Sequence, residues 1–384
     1  MPASACPDDT TTPFSRCCPM IFIGILIRGG ITCQKNPGGD CMKKFVVVLT
    51  LVLAIVIAAG VLAAQQQSNR VPPPWAYGFA TPPGATAAPA APAAPATPPA
   101  PDPTMHKLPG SNSSFTAAQI RDGAGPADWY PGDHPPMPDI VAHGKPAQQV
   151  IACSLCHYPN GKGRAENAGV SGLSYDYFVQ TMMDFKNDKR KSTDTRKANT
   201  NRMIAFAKAM TDDEIKAAAT YFGAIKWTPW VRVVENDTVP KTRIAGGLFL
   251  VAEGAEAGKE PIGQRIIEVP EKTEDTELLR NPRSGFVAYV PPGSIKKGEA
   301  LARTAQCTLC HGANLEGLGP VPGIAGRSPS YTVRQLFDMQ AGSRKGVWTD
   351  LMKPVVDKLS AEDMLNIAAY TASRVPGGGT RSNQ

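Results

Sequence analysis

The sequence predicts a mainly α-helical fold in which two similar small domains are joined by a small β-containing segment. Three observations lead to this prediction. The pentapeptide Cys-Ser-Leu-Cys-His at Cys153–His157 returns as Cys-Thr-Leu-Cys-His at Cys307–His311, 154 residues later. Each pentapeptide is followed by a glycine-containing loop and later by an amphipathic helix that opens with a capping signature. Residues 227–292 match neither copy and contain short β-type runs.

Length and charge limit the classes of function. A chain of 384 residues has room for two or three small domains with their own cores. The formal net charge of +7 is a mild excess, which favours an acidic docking partner. The sequence has no dense basic stripe with interleaved aromatic residues, so nucleic acid is not an expected partner. It also lacks a glycine-rich phosphate loop, a Ser/His/Asp catalytic set and a separate zinc signature.

The amino-terminal region contains two predicted segments. Residues 1–41 carry five of the nine cysteines and are interpreted as an over-extended reading frame or a disordered tail. Residues 42–64 begin with a short basic stretch and continue as an apolar run of about 20 residues, long enough to cross a bilayer as a helix. We predict either a cleaved signal peptide or a retained membrane anchor. Both alternatives place the following domains on the periplasmic side of a bacterial cytoplasmic membrane, anchored or soluble after cleavage.

Residues 65–109 are dominated by Ala and Pro and are predicted to be a disordered linker. This composition cannot bury a core and favours extended polyproline geometry. We expect the linker either to tether the domains to an anchor or to act as a plain spacer. Residues 110–138 are predicted to be an ordered arm without assigned chemistry, and residues 376–384 a tail.

The internal repeat defines the two domains as residues 139–226 and 293–375. The offset between matched residues is 154 and then falls to 149, because the second copy is five residues shorter. The matched pairs include Gly144 and Gly298, Tyr177 and Tyr331, Asp184 and Asp338, Arg190 and Arg344, Met203 and Met352, Thr211 and Ser360, and Tyr221 and Tyr370. In each copy we expect a helix that carries the glycine, a middle helix, and a capped final helix whose tyrosine packs against that glycine.

The segment between the copies, residues 227–292, contains four runs typical of β-strands. These runs are residues 230–234, 247–251, 265–269 and 286–290. We expect an insertion that packs on the two domains and either fixes their relation or presents a docking surface.

The Cys-x-x-Cys-His motif has the spacing at which two thiols add to the two vinyl groups of one haem. The histidine after the second cysteine then supplies the proximal ligand of the haem iron. A zinc site and a redox-active dithiol are the alternatives, and the recurrence of the flanking sequence in register favours haem c. The predicted haem residues are Cys153, Cys156, Cys307 and Cys310 for the covalent bonds to two haem c groups, and His157 and His311 for the irons.

The two copies resemble class I cytochrome c domains, and their tandem arrangement resembles the diheme cytochromes of the c-four group. The resemblance rests on the haem motif, the elements Val170–Gly172 and Ile324–Gly326, the methionine loop and the capped final helix with its tyrosine. It implies two class I domains, each with a histidine and a methionine at the iron.

The sequence departs from that family in two places. The family has a proline loop whose carbonyl orients the proximal histidine. The second copy has Pro320 and Pro322 there, whereas the first has Glu166 and Ala168. The segment between the domains is also longer than the short link of the family.

On the class I pattern, the repeat register selects the second axial ligands. Met203 and Met352 are the methionine pair that the repeat aligns, each eight residues before the cap of the final helix. A thioether ligand favours reduced iron and raises the reduction potential. We predict core positions for the other helical methionines, Met182, Met183, Met210, Met339 and Met364. His143 is predicted to be a surface histidine.

The resemblance implies one-electron transfer between a donor and an acceptor of a respiratory or dehydrogenase chain, without a small-molecule substrate. Expected partners are an oxidase, a dehydrogenase or another cytochrome, and the membrane if the amino-terminal helix is retained. Eight Lys or Arg against two Asp between Lys186 and Lys208 predict a basic collar that attracts an acidic partner, or simply a solvated loop. Arg190 and Arg344 are predicted to contact haem propionates. A peroxidase-like diheme enzyme and a haem subunit of a larger membrane oxidoreductase complex are the alternatives.

Overall fold

The computed structural model describes residues 47–57, 71–85 and 102–377. Contacts divide the chain into two units, residues 1–63 and residues 64–384. In the first unit, residues 47–57 form helix α1, whose side chains are exposed. The predicted amino-terminal extension and much of the predicted signal or anchor lie outside the described residues. No helix within the described ranges is both long and apolar enough to cross a membrane.

The linker prediction for residues 65–109 is wrong at its one aromatic stretch. Residues Pro74–Tyr77 form helix α2, and Tyr77 is completely buried. The Tyr77 hydroxyl donates a hydrogen bond to Asp338 (2.7 Å), and Arg334 donates to a backbone carbonyl of α2 (2.6 Å). The large apolar area of the aromatic side chains stabilises docking, which the surrounding Ala and Pro residues cannot do.

An arm and the first copy of the repeat follow. The linker prediction is also wrong near its end, where β1 (Met105–Lys107) pairs with β2 (Ser114–Thr116) of the arm, which also contains α3 (Ala117–Ile120). The first copy contains α4 (Asp139–Ala142), α5 (Cys153–His157), α6 (Tyr175–Lys186), α7 (Ala198–Ala209) and α8 (Asp212–Ala224). Buried side chains of α4, α6, α7 and α8 share one core. The predicted capping box of α8 is confirmed, with Glu214 N–H on the Thr211 hydroxyl (3.2 Å) and Thr211 N–H on the Glu214 carboxylate (2.7 Å).

The insertion between the copies is a set of short strands. It contains β3 (Val231–Glu235), β4 (Thr238–Pro240), β5 (Thr242–Ala245), β6 (Leu248–Val251), β7 (Lys259–Pro261), β8 (Ile267–Pro270), helix α9 (Thr273–Glu277) and β9 (Phe286–Val290). Each of the four predicted runs overlaps a strand. β9 lies in the middle of a three-stranded sheet, parallel to β3 (Val231 opposite Phe286) and antiparallel to β8 (Ile267 opposite Tyr289).

The second copy contains α10 (Ser294–Thr304), α11 (Cys307–His311), β10 (Gly317–Leu318), β11 (Val321–Pro322), α12 (Pro329–Gln340), α13 (Val347–Val356) and α14 (Ala361–Ser373). Its final helix opens with the predicted capping box between Ser360 and Asp363. Trp230 and Phe286 of the insertion share a core with Leu365 of α14. The insertion is therefore packed on the second copy.

The glycine prediction is correct in the second copy only. Gly298 lies in α10, where an added Cβ would be 2.7 Å from the Cβ of Tyr370 on α14, so glycine permits this helix crossing. In the first copy, Gly144 has a φ of +66° and follows the end of α4. The hydroxyl of Tyr221 instead donates to the carbonyl of Pro159 (2.6 Å). Because Gly144 lies after α4 and not within it, this glycine instead permits the close approach of the backbone at Val150, where an added Cβ would be 2.3 Å from the carbonyl oxygen.

The two copies meet through reciprocal contacts of one repeated arginine. Arg190 and Arg344 pair as an isolated antiparallel bridge. The Arg190 guanidinium donates to the hydroxyl of Tyr331 in the second copy (2.8 Å). The Arg344 guanidinium donates to the hydroxyl of Tyr177 in the first copy (2.9 Å). Both arginines also donate to Gln335 (2.9 Å each).

A buried carboxylate connects the insertion to the second copy. Glu268 of β8 is 2% exposed and accepts hydrogen bonds from the Ser328 hydroxyl (2.8 Å) and the Ser330 N–H (3.3 Å) at the start of α12. Its other oxygen has no hydrogen-bond partner among the described residues. Burial raises the pKa of Glu268 above its ordinary value, although the two serines oppose this effect.

We expect Tyr77→Phe to lower the free energy of unfolding by about 1–3 kcal/mol, because it removes a hydrogen bond to the buried Asp338 carboxylate. Urea unfolding measures the change. Tyr175→Phe is the control, because Tyr175 is 43% exposed. Equal stability of the two variants would show that α2 does not contribute to the folded unit through this bond.

We expect Glu268→Gln to change the pH dependence of stability. Because the folded pKa is raised, the stability that Glu268 contributes is fully present below its unfolded pKa and is lost as pH rises through its folded pKa. Glutamine stays neutral, so the variant should gain stability relative to the parent between about pH 4.5 and pH 7. Thermal unfolding across this range measures the difference. The exposed Glu256→Gln is the control, and parallel curves for parent and E268Q would contradict the expectation.

Candidate functional site

The first Cys-x-x-Cys-His motif opens onto a cavity in the first copy. Cys153, Cys156 and His157 of α5 line it. The apolar lining residues are Val170, Leu173, Phe178, Met182, Phe185, Met203, Phe206, Met210 and Phe222. Polar lining residues at the contact with the second copy are Arg190, Tyr331, Arg334, Gln335 and Asp338. An apolar chamber with polar groups on one side suits a flat apolar ring that carries charged substituents.

Both motif histidines have the same hydrogen bond. His157 Nδ1 donates to the carbonyl of Ala168, and His311 Nδ1 donates to the carbonyl of Pro322, each at 2.8 Å. Burial lowers the pKa of both histidines, which favours the neutral form of each ring. A proton on Nδ1 leaves the Nε2 lone pair for a metal ion. The missing proline in the first copy has no effect on this bond, because the acceptor is a backbone carbonyl.

The predicted methionine ligands lie on corresponding helices. Met203 is on α7 and lines the cavity that also holds His157. Met352 is on α13, half-buried, and packs against the core of the second copy. The core prediction is confirmed for Met182, Met210, Met339 and Met364, which are at most 6% exposed. Since Met182 and Met210 also line the first cavity, the register of the repeat remains the reason to prefer Met203 as an iron ligand.

The second motif is more open than the first. His311 is 7% exposed, whereas Leu309 between the cysteines is 72% exposed and Cys310 is exposed. Val347 and Leu351 of α13 are also exposed, at 60% and 66%. Val347 and Leu351 are on the same helix as Met352.

The residues of both sites fit haem c. Each motif presents two free thiols and a histidine whose Nδ1 proton is already bonded. In the first copy, the thiols and the ring share one apolar cavity, as a covalently attached porphyrin requires. Within the described ranges, no group of three or more His, Cys, Asp or Glu residues is placed to hold a metal ion directly, which is what the zinc alternative needs.

The predicted basic collar is partly buried and partly paired, and its attraction for an acidic partner remains a prediction. Of its eight cationic residues, Arg190 and Lys197 are buried. Three others form salt bridges, namely Lys186 with Asp212, Arg196 with Asp194, and Lys208 with Asp188. Lys189, Lys191 and Arg202 remain exposed. The sequence pattern does not show which of these residues tertiary contacts cover, such as the contact of Lys197 with the carbonyl of Tyr77 (3.1 Å).

The two arginines predicted to contact propionates have another contact in the structure. Arg190 and Arg344 donate to tyrosines across the interface, although Arg190 also lines the first cavity. Their contact with propionates remains a prediction. His143 is exposed, as predicted, and its ring Nδ1 donates to the carbonyl of Ala124 (3.0 Å).

Two sets of residues near the first site were not predicted. Arg334 is 5% exposed and joins α2 to the carbonyl of Ala165 (3.0 Å). Arg164 pairs with Glu166 and with Glu277 of α9 (2.6 Å to Glu277). No local motif marks such residues, because their partners are far away in the sequence. The aromatic cluster around Tyr77 was the available sign that α2 would dock.

The chain is similar to known cytochromes. The family model described as Cytochrome c matches residues 295–374. Cytochrome c4 of Stutzerimonas stutzeri is 30% identical over 156 residues, which cover 34% of this chain and 74% of that protein. Cytochrome c-554(548) of Halomonas halodenitrificans is 37% identical over 81 residues, which cover 20% of this chain and 98% of that protein.

Among solved structures, the thiosulfate dehydrogenase TsdBA of Marichromatium purpuratum aligns with a TM-score of 0.39 at 22% identity. The alignment covers 62% of this chain and 40% of that one.

We expect Met203→Leu and Met352→Leu each to remove the methionine-to-iron charge-transfer band of one ferric haem, because leucine fills the space of methionine but has no sulfur ligand. The double variant should lose both bands. Near-infrared absorption of the ferric protein measures the loss.

Met182→Leu and Met210→Leu are matched controls, since both residues line the same cavity as Met203. Both controls should keep the full band. Loss of the band in either control, with its retention in Met203→Leu, would contradict the ligand assignment.

Proposed function

We propose that this chain, which belongs to the cytochrome c family as a relative of the diheme cytochromes c4, carries single electrons between redox proteins. It holds two covalently bound haem c groups, each supplying an iron that cycles between the ferric and ferrous states. One observation carries the proposal. In both copies the motif histidine donates to a backbone carbonyl at 2.8 Å, which leaves its second nitrogen for the iron. Two equivalent ligand arrangements suit two one-electron sites.

The proposal assigns a role to each predicted site residue. Cys153, Cys156, Cys307 and Cys310 form the thioether bonds, His157 and His311 are the proximal ligands, and Met203 and Met352 are the distal ligands. The hydrogen bond at Nδ1 fixes the orientation and tautomer of each ring and raises the basicity of Nε2. A methionine at both sites fills the position that a catalytic haem would keep open for a substrate.

The contact between the copies gives an electron a route within one chain. Arg190, Arg344, Tyr177 and Tyr331 fill this contact with direct hydrogen bonds. Because these side chains are fixed, little reorganisation accompanies a change of charge on either side. Arg190 lines the first cavity, and we include the contact of both arginines with propionates in the proposal.

We also propose redox partners and a cellular location for this chain. The partners are an oxidase, a dehydrogenase or another cytochrome, which would dock near the open second motif or near the exposed Lys189, Lys191 and Arg202. The net charge of +7 favours an acidic docking surface on them. The place of action is the periplasmic side of the cytoplasmic membrane, either anchored through the amino-terminal segment or soluble after its cleavage.

Stopped-flow mixing of the reduced protein with a one-electron oxidant tests the proposal. We expect each chain to release two electrons, one from each haem, with no consumption of added hydrogen peroxide beyond these electrons. We also expect no rapid binding of carbon monoxide to the reduced protein, because both distal positions are occupied by methionine. Catalytic removal of peroxide, or rapid carbon monoxide binding at either haem, would instead support the peroxidase-like alternative.

A further inference from the structure

One segment of the insertion, Glu277–Arg283, contacts the first copy beside its haem motif, and we call this segment the cap. Its Glu277 carboxylate accepts from Arg164 of the first copy (2.6 Å). The side-chain amide of Asn160 donates to the carbonyl of Pro282 in the cap (2.6 Å). Both contacts involve the loop that follows the first Cys-x-x-Cys-His motif. The cap therefore lies against the motif side of the first haem site.

The arm holds the cap in place from the other side. The Trp129 indole N–H donates to the carbonyl of Leu279 (2.8 Å), and Trp129 is 1% exposed. Asp133 accepts two hydrogen bonds from Arg283, each at 2.7 Å. The arm therefore fixes the position of the cap through these hydrogen bonds.

Arg280, in the middle of the cap, has an unusual backbone conformation. Its φ is +46°, in the left-handed region that a non-glycine residue rarely adopts. Such a conformation persists only where the surrounding structure holds it, and it is found preferentially at functional positions. Here it turns the arginine side chain toward the first haem motif.

The Arg280 guanidinium contacts the motif itself. It donates a hydrogen bond to the carbonyl of Leu155, which lies between the two cysteines. It also lies 5.6 Å from the ring centre of Tyr158, directly after the motif. The last carbonyls of a helix lack partners within the helix, and a cation is favourable at that end. The contact therefore places a positive charge beside Cys156, although burial lowers the pKa of Arg280.

No carboxylate neutralises this charge directly. Arg164 binds Glu166 and Glu277, the two nearby acidic residues of the first copy and the cap. Within the part of the chain that the structure describes, Arg280 forms no salt bridge, whereas its neighbour Arg283 is paired with Asp133. A half-buried guanidinium without an ion-pair partner acts on its surroundings over a longer range than an exposed one.

Among the described residues, no cationic side chain donates a hydrogen bond to the Leu309 carbonyl of the second motif. Leu309 corresponds to Leu155 and is 72% exposed. The insertion does not cover Cys310, which is exposed. The repeat thus provides two similar sites, and the cap makes them different.

We infer that Arg280 raises the reduction potential of the first haem relative to the second and so sets the direction of electron flow within the chain. Reduction lowers the charge of the iron by one, and a nearby fixed positive charge stabilises the less positive state. The electron itself comes from the redox partner. This inference rests on the proposed function. It assigns to the insertion the role of making the first haem the preferred site for the electron.

Redox titration of the full-length haem-loaded protein tests the inference with Arg280→Gln. We expect one of the two potentials to fall, so that the ferrous-to-ferric ratio of that haem at a fixed applied potential decreases by about three- to tenfold, where tenfold corresponds to 59 mV. The other potential should not change. In a Met352→Leu background only the first haem keeps its charge-transfer band, and this band should report the shifted potential.

Two variants separate charge from packing. Arg265→Gln removes a guanidinium that is paired with Glu260 in the insertion but outside the cap, and it should leave both potentials unchanged. Arg280→Lys keeps the charge and should keep most of the parent potential. Unchanged potentials in R280Q, an equal fall of both potentials, or an equally large shift in R280K would overturn the inference. Failure of the proposed function would appear separately, as peroxide turnover or rapid carbon monoxide binding by the parent protein.

Discussion

The arrangement of the haem sites depends most on the contact between Arg190 and Arg344. Two guanidinium groups at the centre of an interface are costly unless their donors find acceptors. Tyr331 and Tyr177 supply these acceptors, each from the copy opposite to its arginine, and Gln335 serves both. These reciprocal hydrogen bonds can form only when the two copies face each other in register. A repeated sequence can satisfy this requirement because each copy brings the same donor and acceptor.

The rest of the molecule builds on this contact and makes it asymmetric. Helix α2 packs beside it, with Tyr77 bonded to Asp338 of the second copy and Lys197 of the first copy bonded to the Tyr77 carbonyl (3.1 Å). Arg327 of the second copy reaches the carbonyls of the first copy at Gly169 (2.8 Å) and Ser171 (3.1 Å). The arm and the insertion then enclose the first motif and leave the second exposed. Two sites with the same Cys-x-x-Cys-His motif thus acquire different surroundings, which is the simplest physical basis for different potentials.

The parts of this structure that could be predicted from sequence are those encoded by short-range patterns. The haem motif, the capping boxes at Thr211 and Ser360, and the four strand runs follow from spacing or local propensity. The docking of α2 and the burial of Lys197 could not be predicted, because both depend on partners distant in sequence. The roles of Met203 and Met352 as iron ligands remain predictions that rest on the register of the repeat.

Intramolecular electron transfer between the two haems tests the central claim most directly. One electron per molecule is introduced by a light pulse, and its redistribution is followed at both haems. We predict a single redistribution rate that does not change with protein concentration, because the contact of Arg190 and Arg344 holds the two sites in one body. A rate that rises in proportion to protein concentration would show that electrons pass only between molecules, and it would contradict the account.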